Sequence, residues 1–129
     1  MATINKTLLG VETLVPLVAN TYVFAATAGT EPNTNNQVRI VCNSTAAVPT
    51  IELPAIASFN GIYNIIVIIQ DTAGTAATNN ILVNVGALSG DRINTSATGW
   101  KINANYGNMT LTIGDEGHWI SVGNGSVTQ

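Results

Sequence analysis

Between residues 62 and 69 the chain reads IYNIIVII, with Asn64 as its strongly polar member. Branched and aromatic side chains over so short a run predict a β-strand, since a globular helix needs more length. Alternation along a strand places Ile62, Ile66 and Ile68 on one side and Tyr63, Ile65, Val67 and Ile69 on the other. Both sides are apolar. A strand with one wet face should alternate apolar with polar, so this one is expected to be covered twice, by a second layer and by an arm or a neighbouring subunit. Fully burying one isoleucine side chain is worth about 1.5–3 kcal/mol, which makes leaving either side in water costly for a small domain.

The polar, small-residue stretch 71–80 follows, and then the apolar run ILVNV at residues 81–85. Asp71 offers a side-chain acceptor to nearby backbone N–H groups and Gly74 is free to take positive φ. Together they predict a long-looped antiparallel hairpin.

The same alternation recurs elsewhere. It places Val38, Ile40 and Cys42 inward with Arg39 outward, and Ile51 and Leu53 inward with Glu52 outward before the strand-ending Pro54. Residues 106–113 carry Met109, Leu111 and Ile113 on one face and Thr110 and Thr112 on the other, and the turn 114–117 leads into a return strand at 118–122. Residues 20–26 read as a further strand, Trp100, Ile102 and Ala104 share a strand face, and Ile93 anchors the polar connection 86–99. Stretch 27–37 is a loop by composition, and 123–129 is expected to fray. Residues 1–18 hold Ile4, Leu8, Leu9, Val11, Leu14, Val15, Leu17 and Val18 with no clean period, punctuated by Gly10 and Pro16. Seven or eight short strands without a helix predict an all-β domain, an antiparallel β-sandwich or jelly-roll-like fold over residues 20–129, behind an extended N-terminal arm at residues 1–19.

Charge alters the functional picture. Charged residues make up 9% of the 129, about a third of the usual share, and the net charge is −3. Lys6, Arg39, Arg92 and Lys101 are scattered, so no phosphate-tracking surface for nucleic acid and no polybasic membrane patch is expected. Hydrophobic residues make up 46% of the chain, which speaks against disorder. Asn, Thr, Ser, Ala and Gly fill the places where Lys and Glu usually sit, as suits a surface that lies against other protein. Cys42, alone, excludes an internal disulfide and is expected to be a small buried apolar residue. Glu12 and Pro16 interrupt the N-terminal apolar run, against a cleaved signal peptide, and no window approaches a membrane helix.

The succession TIELP at 50–54, the Ile-rich strand ending in Gln70-Asp71, the turn residues Gly74, Ala76, Asn79, Asn80 and Ile81, then Tyr106-Gly107 and Trp119-Ile120 resembles a small β-domain of bacteriophage virion surface proteins, found in tail-fibre and tailspike tips and in decoration proteins. The likeness spans residues 48–123, and its motifs are strand ends and turns. It implies a β fold, a trimer and a virion setting, with no catalytic residue and no cofactor. A domain standing behind only a short arm points to a capsid decoration, or cement, protein on the capsid exterior. Its expected partners are further copies of itself and the major capsid protein. The alternative is a tail-fibre or spike tip module that binds host surface glycans through loops 27–37 and 72–80.

Candidate chemistry is sparse. Asp115, Glu116 and His118 cluster at a hairpin tip and hold three donor types for a metal or an acid–base pair, but a hairpin tip is usually solvated. Ser121 is a conceivable nucleophile, read more simply as an outward strand residue, and Glu52, Asp71, Asp91, Asp115 and Glu116 supply carboxylates for glycoside hydrolysis without fixing any pair. Trp100, Tyr106 and Trp119 would make a sugar-stacking platform if exposed and core or interface packing if not. The expected contact surface comprises Leu8, Leu9, Leu14, Val15 and Leu17 of the arm, Tyr63, Ile65, Val67 and Ile69 of the isoleucine strand, and Trp100 and Trp119.

Overall fold

Alternation decides which side chains reach the interior, and the strands follow it closely. The computed structural model describes residues 13–17, 21–23, 37–43, 48–59, 61, 63–86 and 89–129. Within these the chain forms β1 (Thr13–Leu17), β2 (Thr21–Val23), β3 (Gln37–Cys42), β4 (Thr50–Glu52), β5 (Ile66–Asp71), β6 (Ile81–Asn84), β7 (Arg92–Ile93), β8 (Gly99–Ile102), β9 (Asn108–Asp115), β10 (His118–Val122) and β11 (Ser126–Thr128). A 3-10 turn at Ile56–Phe59 is the helical element among the described residues. No helix there is long and apolar enough to cross a membrane.

The strands form two mixed sheets, one in the order β1-β3-β5-β9-β10-β7 and the other in the order β11-β8-β6-β4-β2, and neither closes into a barrel. Through β8 the chain changes sheet at every step. A strand that leaves a sheet and comes back after a crossover can re-enter in the same direction. β1, β3 and β5 accordingly run parallel in one sheet, and β2, β4 and β6 run parallel in the other. Antiparallel pairing begins where β9 joins β5 and β8 joins β6, and continues in β9–β10 and β8–β11. The wholly antiparallel sheet expected from the sequence is therefore corrected to a mixed one.

The predicted 71–85 hairpin is also corrected. β5 is flanked by β3 and β9, which leaves no free edge beside it, and β6 lies in the other sheet between β4 and β8. The intervening loop crosses from one sheet to the other. The isoleucine strand itself is shorter at its start, because the strand begins at Ile66, three residues after Tyr63. At the C-terminus, the expected fraying is replaced by β11, which pairs with β8 through Val127 opposite Lys101. The Gln129 side-chain amide donates to the carbonyls of Val83 and Trp100 and to the Asn84 side chain, holding that end in place.

Buried residues of both sheets form a common cluster that includes Val38, Ile40, Val67, Ile69, Met109 and Leu111 from the first and Ile51, Ile81, Val83 and Ile102 from the second. The register explains the match. Val38, Val67 and Leu111 lie side by side across β3, β5 and β9, as do Ile40, Ile69 and Met109 in the next inward row. Cys42 is buried as expected, and burial, with the Asp71 charge as a second cause, pushes its thiol up to about 12. Phe59 meets the Trp119 ring edge to face at 6.1 Å between centroids, closing the core over the 3-10 turn.

Candidate functional site

Three places carry more than packing: a buried carboxylate that organises the turns, the outer face of the six-stranded sheet, and a cavity near the β9–β10 turn. Asp71 ends β5 on its inward row at 4% exposure, so its carboxylate must find donors within the protein. Its Oδ1 accepts from the Gly74 N–H and its Oδ2 from the N–H groups of Ala76 and Tyr106, all at 3.0 Å. The Asp71 N–H in turn donates to the Gly107 carbonyl at 3.0 Å. Gly74 takes φ +72°, and a Cβ there would stand 2.4 Å from the Tyr106 ring. Tyr106 itself holds a φ of 59°, rare for a side chain of that size, and its ring is 72% exposed. The residues that carry the sequence resemblance in this region, Asp71, Gly74, Ala76, Tyr106 and Gly107, are thus parts of a single hydrogen-bonded hub. Asn80 adds to it by donating to the Ala76 carbonyl at 2.7 Å.

On the outer face of the six-stranded sheet, Ile66 lies opposite Thr112, which lies opposite Ile120, while Ile68, Thr110 and Val122 make the adjoining row. Ile120 is 41% and Val122 70% exposed, and Ile66, Ile68 and Val41 are half-buried. The charged members of this face include Arg39, opposite Ile68 in β3, and the exposed Arg92 at the β7 edge, opposite His118. The isoleucine strand therefore has two apolar sides, but the assignment of its faces is the reverse of the one expected. Ile65, Val67 and Ile69 are core residues with at most 1% exposure, Tyr63 packs half-buried against them, and the outward side is Ile66 and Ile68.

Other expected contact residues also move inward. Trp119 is fully buried, with its indole N–H unpartnered, because β10 turns its face toward Ile113 of β9. Trp100 is half-buried against the core and donates its indole N–H to the Ile93 carbonyl at 3.2 Å. Of the sugar-stacking trio, only Tyr106 is exposed. Leu14, Val15 and Leu17 belong to β1, where they pair in register with Arg39, Ile40 and Cys42. Leu8 and Leu9 lie outside the described residues.

The hairpin-tip cluster is partly assembled. His118 Nδ1 meets Asp115 Oδ1 at 2.5 Å on an exposed turn. Ser121 lies across from the buried Leu111 with its hydroxyl shut in and unpartnered, which corrects the expected outward placement. Among the described residues no group of three or more His, Cys, Asp or Glu is placed to hold a metal. Glu52 accepts from Asn84 Nδ2 at 2.9 Å on the second sheet, far in sequence from the other carboxylates. Asp91 shares one cavity with Glu52, Asn84 and Arg92 and lines another, of about 410 Å³, with Glu116, Ile56, Ala57, Gly61, Tyr63 and Gly117. The sequence offers Asp91 only as one of five carboxylates and does not single out the outward Ile66–Ile68 pair. The alternation at 62–69 held the signal for the latter, but only the neighbouring strands decide which side is inward.

No protein-family model and no curated protein matches this sequence.

Proposed function

We propose that the chain is a non-enzymatic structural protein of the bacteriophage virion surface, a two-layer β-sandwich that forms trimers and adheres to the major capsid protein as a decoration protein. The observation that carries the reading is the outer face of the six-stranded sheet. Ile66, Ile68, Ile120 and Val122 stand on adjoining rows with threonines between them, and the charges of that face among the described residues include Arg39 in β3 and Arg92 at the β7 edge. Burying half-exposed branched side chains against other protein is worth about 25 cal/mol per Å² of apolar area, and a face with so few charges carries little desolvation penalty.

The virion setting and the trimer rest on the resemblance, whose Asp71, Gly74, Ala76 and Tyr106 motif residues converge on one hub. Adhesion between neighbouring capsid subunits would resist internal genome pressure through repeated apolar burial, with no bond made or broken. A density map of the virions that carry this protein tests the reading: copies spread over the icosahedral shell support it, and absence from the shell overturns it. A second reading, a spike or fibre tip that binds host glycans, is favoured by one feature. Tyr106 is exposed beside loop 72–80 with its ring lying over Gly74, as a sugar-stacking ring would. Location in a few copies at a vertex or tail end would select it.

A further inference from the structure

The connection between β10 and β11 carries Asn124 followed by Gly125, both exposed. Among the described residues Asn124 is the asparagine with glycine after it, and Asn60 of the other such pair lies outside them. Neither the Asn124 side chain nor the Gly125 N–H makes a hydrogen bond with any described residue, whereas the side chains of Asn80, Asn84, Asn94 and Asn105 are each held by one. Glycine is required at position 125, where it takes φ +71° and a Cβ would stand 2.6 Å from the Ala104 Cβ. The chain is tied down on both sides of the Asn124–Gly125 bond. The Asn124 carbonyl accepts the Asn108 N–H and the Gly125 carbonyl accepts the Asn103 N–H, both at 2.9 Å. There is no slack beside these anchors, since a Cβ at Gly123 would collide with the Asn108 carbonyl.

We propose that Asn124 is a self-modifying residue whose conversion to isoaspartate releases β11 from the second sheet. Glycine carries no side chain to shield its nitrogen, so the Gly125 nitrogen can attack the Asn124 Cγ once base takes its proton. The side-chain nitrogen takes up a proton and leaves as ammonia, closing a succinimide ring. Water then adds to either ring carbonyl and breaks its bond to nitrogen, giving aspartate or isoaspartate, with one water consumed and one ammonia released overall. In the isoaspartyl form the main chain runs through the Asn124 side chain, one carbon longer, and the former carbonyl is left outside it as a carboxylate. The anchors at Asn108 and Asn103 fit the shorter path, and the close packing at positions 123 and 125 leaves no room for the extra carbon. β11 then parts from β8, Gln129 loses its contacts with Val83, Asn84 and Trp100, and β8 becomes an open sheet edge. The aspartyl product adds charge without length and leaves the strand in place.

The test ages the folded, full-length chain in mildly alkaline buffer and locates isoaspartate by isoaspartyl methyltransferase labelling and peptide mass mapping. Hydrogen exchange is then followed in the isoaspartyl fraction. The expected result is isoaspartate at position 124 ahead of every other described asparagine, with loss of protection at the Asn103, Asn108 and Gln129 amides and none at Leu111 within β9. Asn124→Gln should keep these amides protected through the same ageing, because its longer side chain closes the ring far more slowly. Freshly prepared Asn124→Asp should be protected as wild type is, which separates added charge from added length. An Asn124 that stays intact in the folded chain while the same position deamidates in urea would overturn the proposal. So would an isoaspartyl fraction that keeps the three amides protected, or a fresh Asn124→Asp variant that loses them.

Discussion

Replacing Asp71 by alanine removes the acceptor on which three backbone N–H groups converge, each at 3.0 Å. The Ala76 donor is buried and the Gly74 and Tyr106 donors are partly buried, so water can compensate only the latter two. A hydrogen bond to a charged acceptor is worth about 1.5–3 kcal/mol net, and a buried donor left unpaired carries its own penalty of about 1–3 kcal/mol. With the two partly buried donors discounted for solvent, Asp71→Ala should cost about 3–5 kcal/mol, a large share of the 5–15 kcal/mol typical of a domain. Asp71→Asn keeps one carbonyl oxygen but turns an NH2 toward the remaining donors, so it should cost about half as much. Urea unfolding followed by tryptophan fluorescence measures both, with the shift in midpoint multiplied by the slope. A loss below about 1 kcal/mol for the alanine variant, or equal losses for the two, would refute the idea that this carboxylate organises the turns.

Four further outcomes follow from the same structure. Because burial pushes the Cys42 thiol up to about 12, Ellman's reagent at pH 8 should leave it unmodified in the folded protein and modify it promptly in urea. The unfolded thiol ionises first as pH rises, so this group's contribution to stability holds at neutral pH and declines by up to about 1.4 kcal/mol per pH unit between roughly pH 9 and the folded value; a Cys42→Ala control isolates it in alkaline unfolding curves. Gly74→Ala places a Cβ at φ +72° against the Tyr106 ring and should lower stability by about 1–2 kcal/mol, read by thermal unfolding. Trp119→Ala should cost about 3–5 kcal/mol, whereas Trp119→Phe should cost distinctly less, because it also removes a buried indole N–H that has no partner.

Much of the strand pattern was legible because it is local. Val38, Ile40 and Cys42 against Arg39, and Met109, Leu111 and Ile113 against their threonines, declare an inward and an outward side by themselves. The isoleucine strand could not, since Val67 and Ile69 on one side and Ile66 and Ile68 on the other are chemically alike. Only the partners β3 and β9, and the second sheet beneath, choose between them. Parallel pairing was illegible for a related reason. The turn residues Asp71 and Gly74 suit a reversal within one sheet as well as a step between two, and what decides is that both edges of β5 are taken by strands distant in sequence. Trp119 and Asp91 show the same limit: an aromatic beside an isoleucine, and an aspartate in a polar connection, gave no sign of a core ring or a carboxylate in a cavity wall.

If the Ile66, Ile68, Ile120 and Val122 face seeks protein rather than water, sedimentation velocity on the purified chain at micromolar concentration will read it. Wild type should sediment as a trimer, and the double variant Ile68→Lys with Val122→Lys, altered only on this outward face, should sediment as a folded monomer with an unchanged circular dichroism spectrum. A wild-type chain that remains monomeric across the concentration range, or a lysine variant that keeps the oligomer intact, would contradict it.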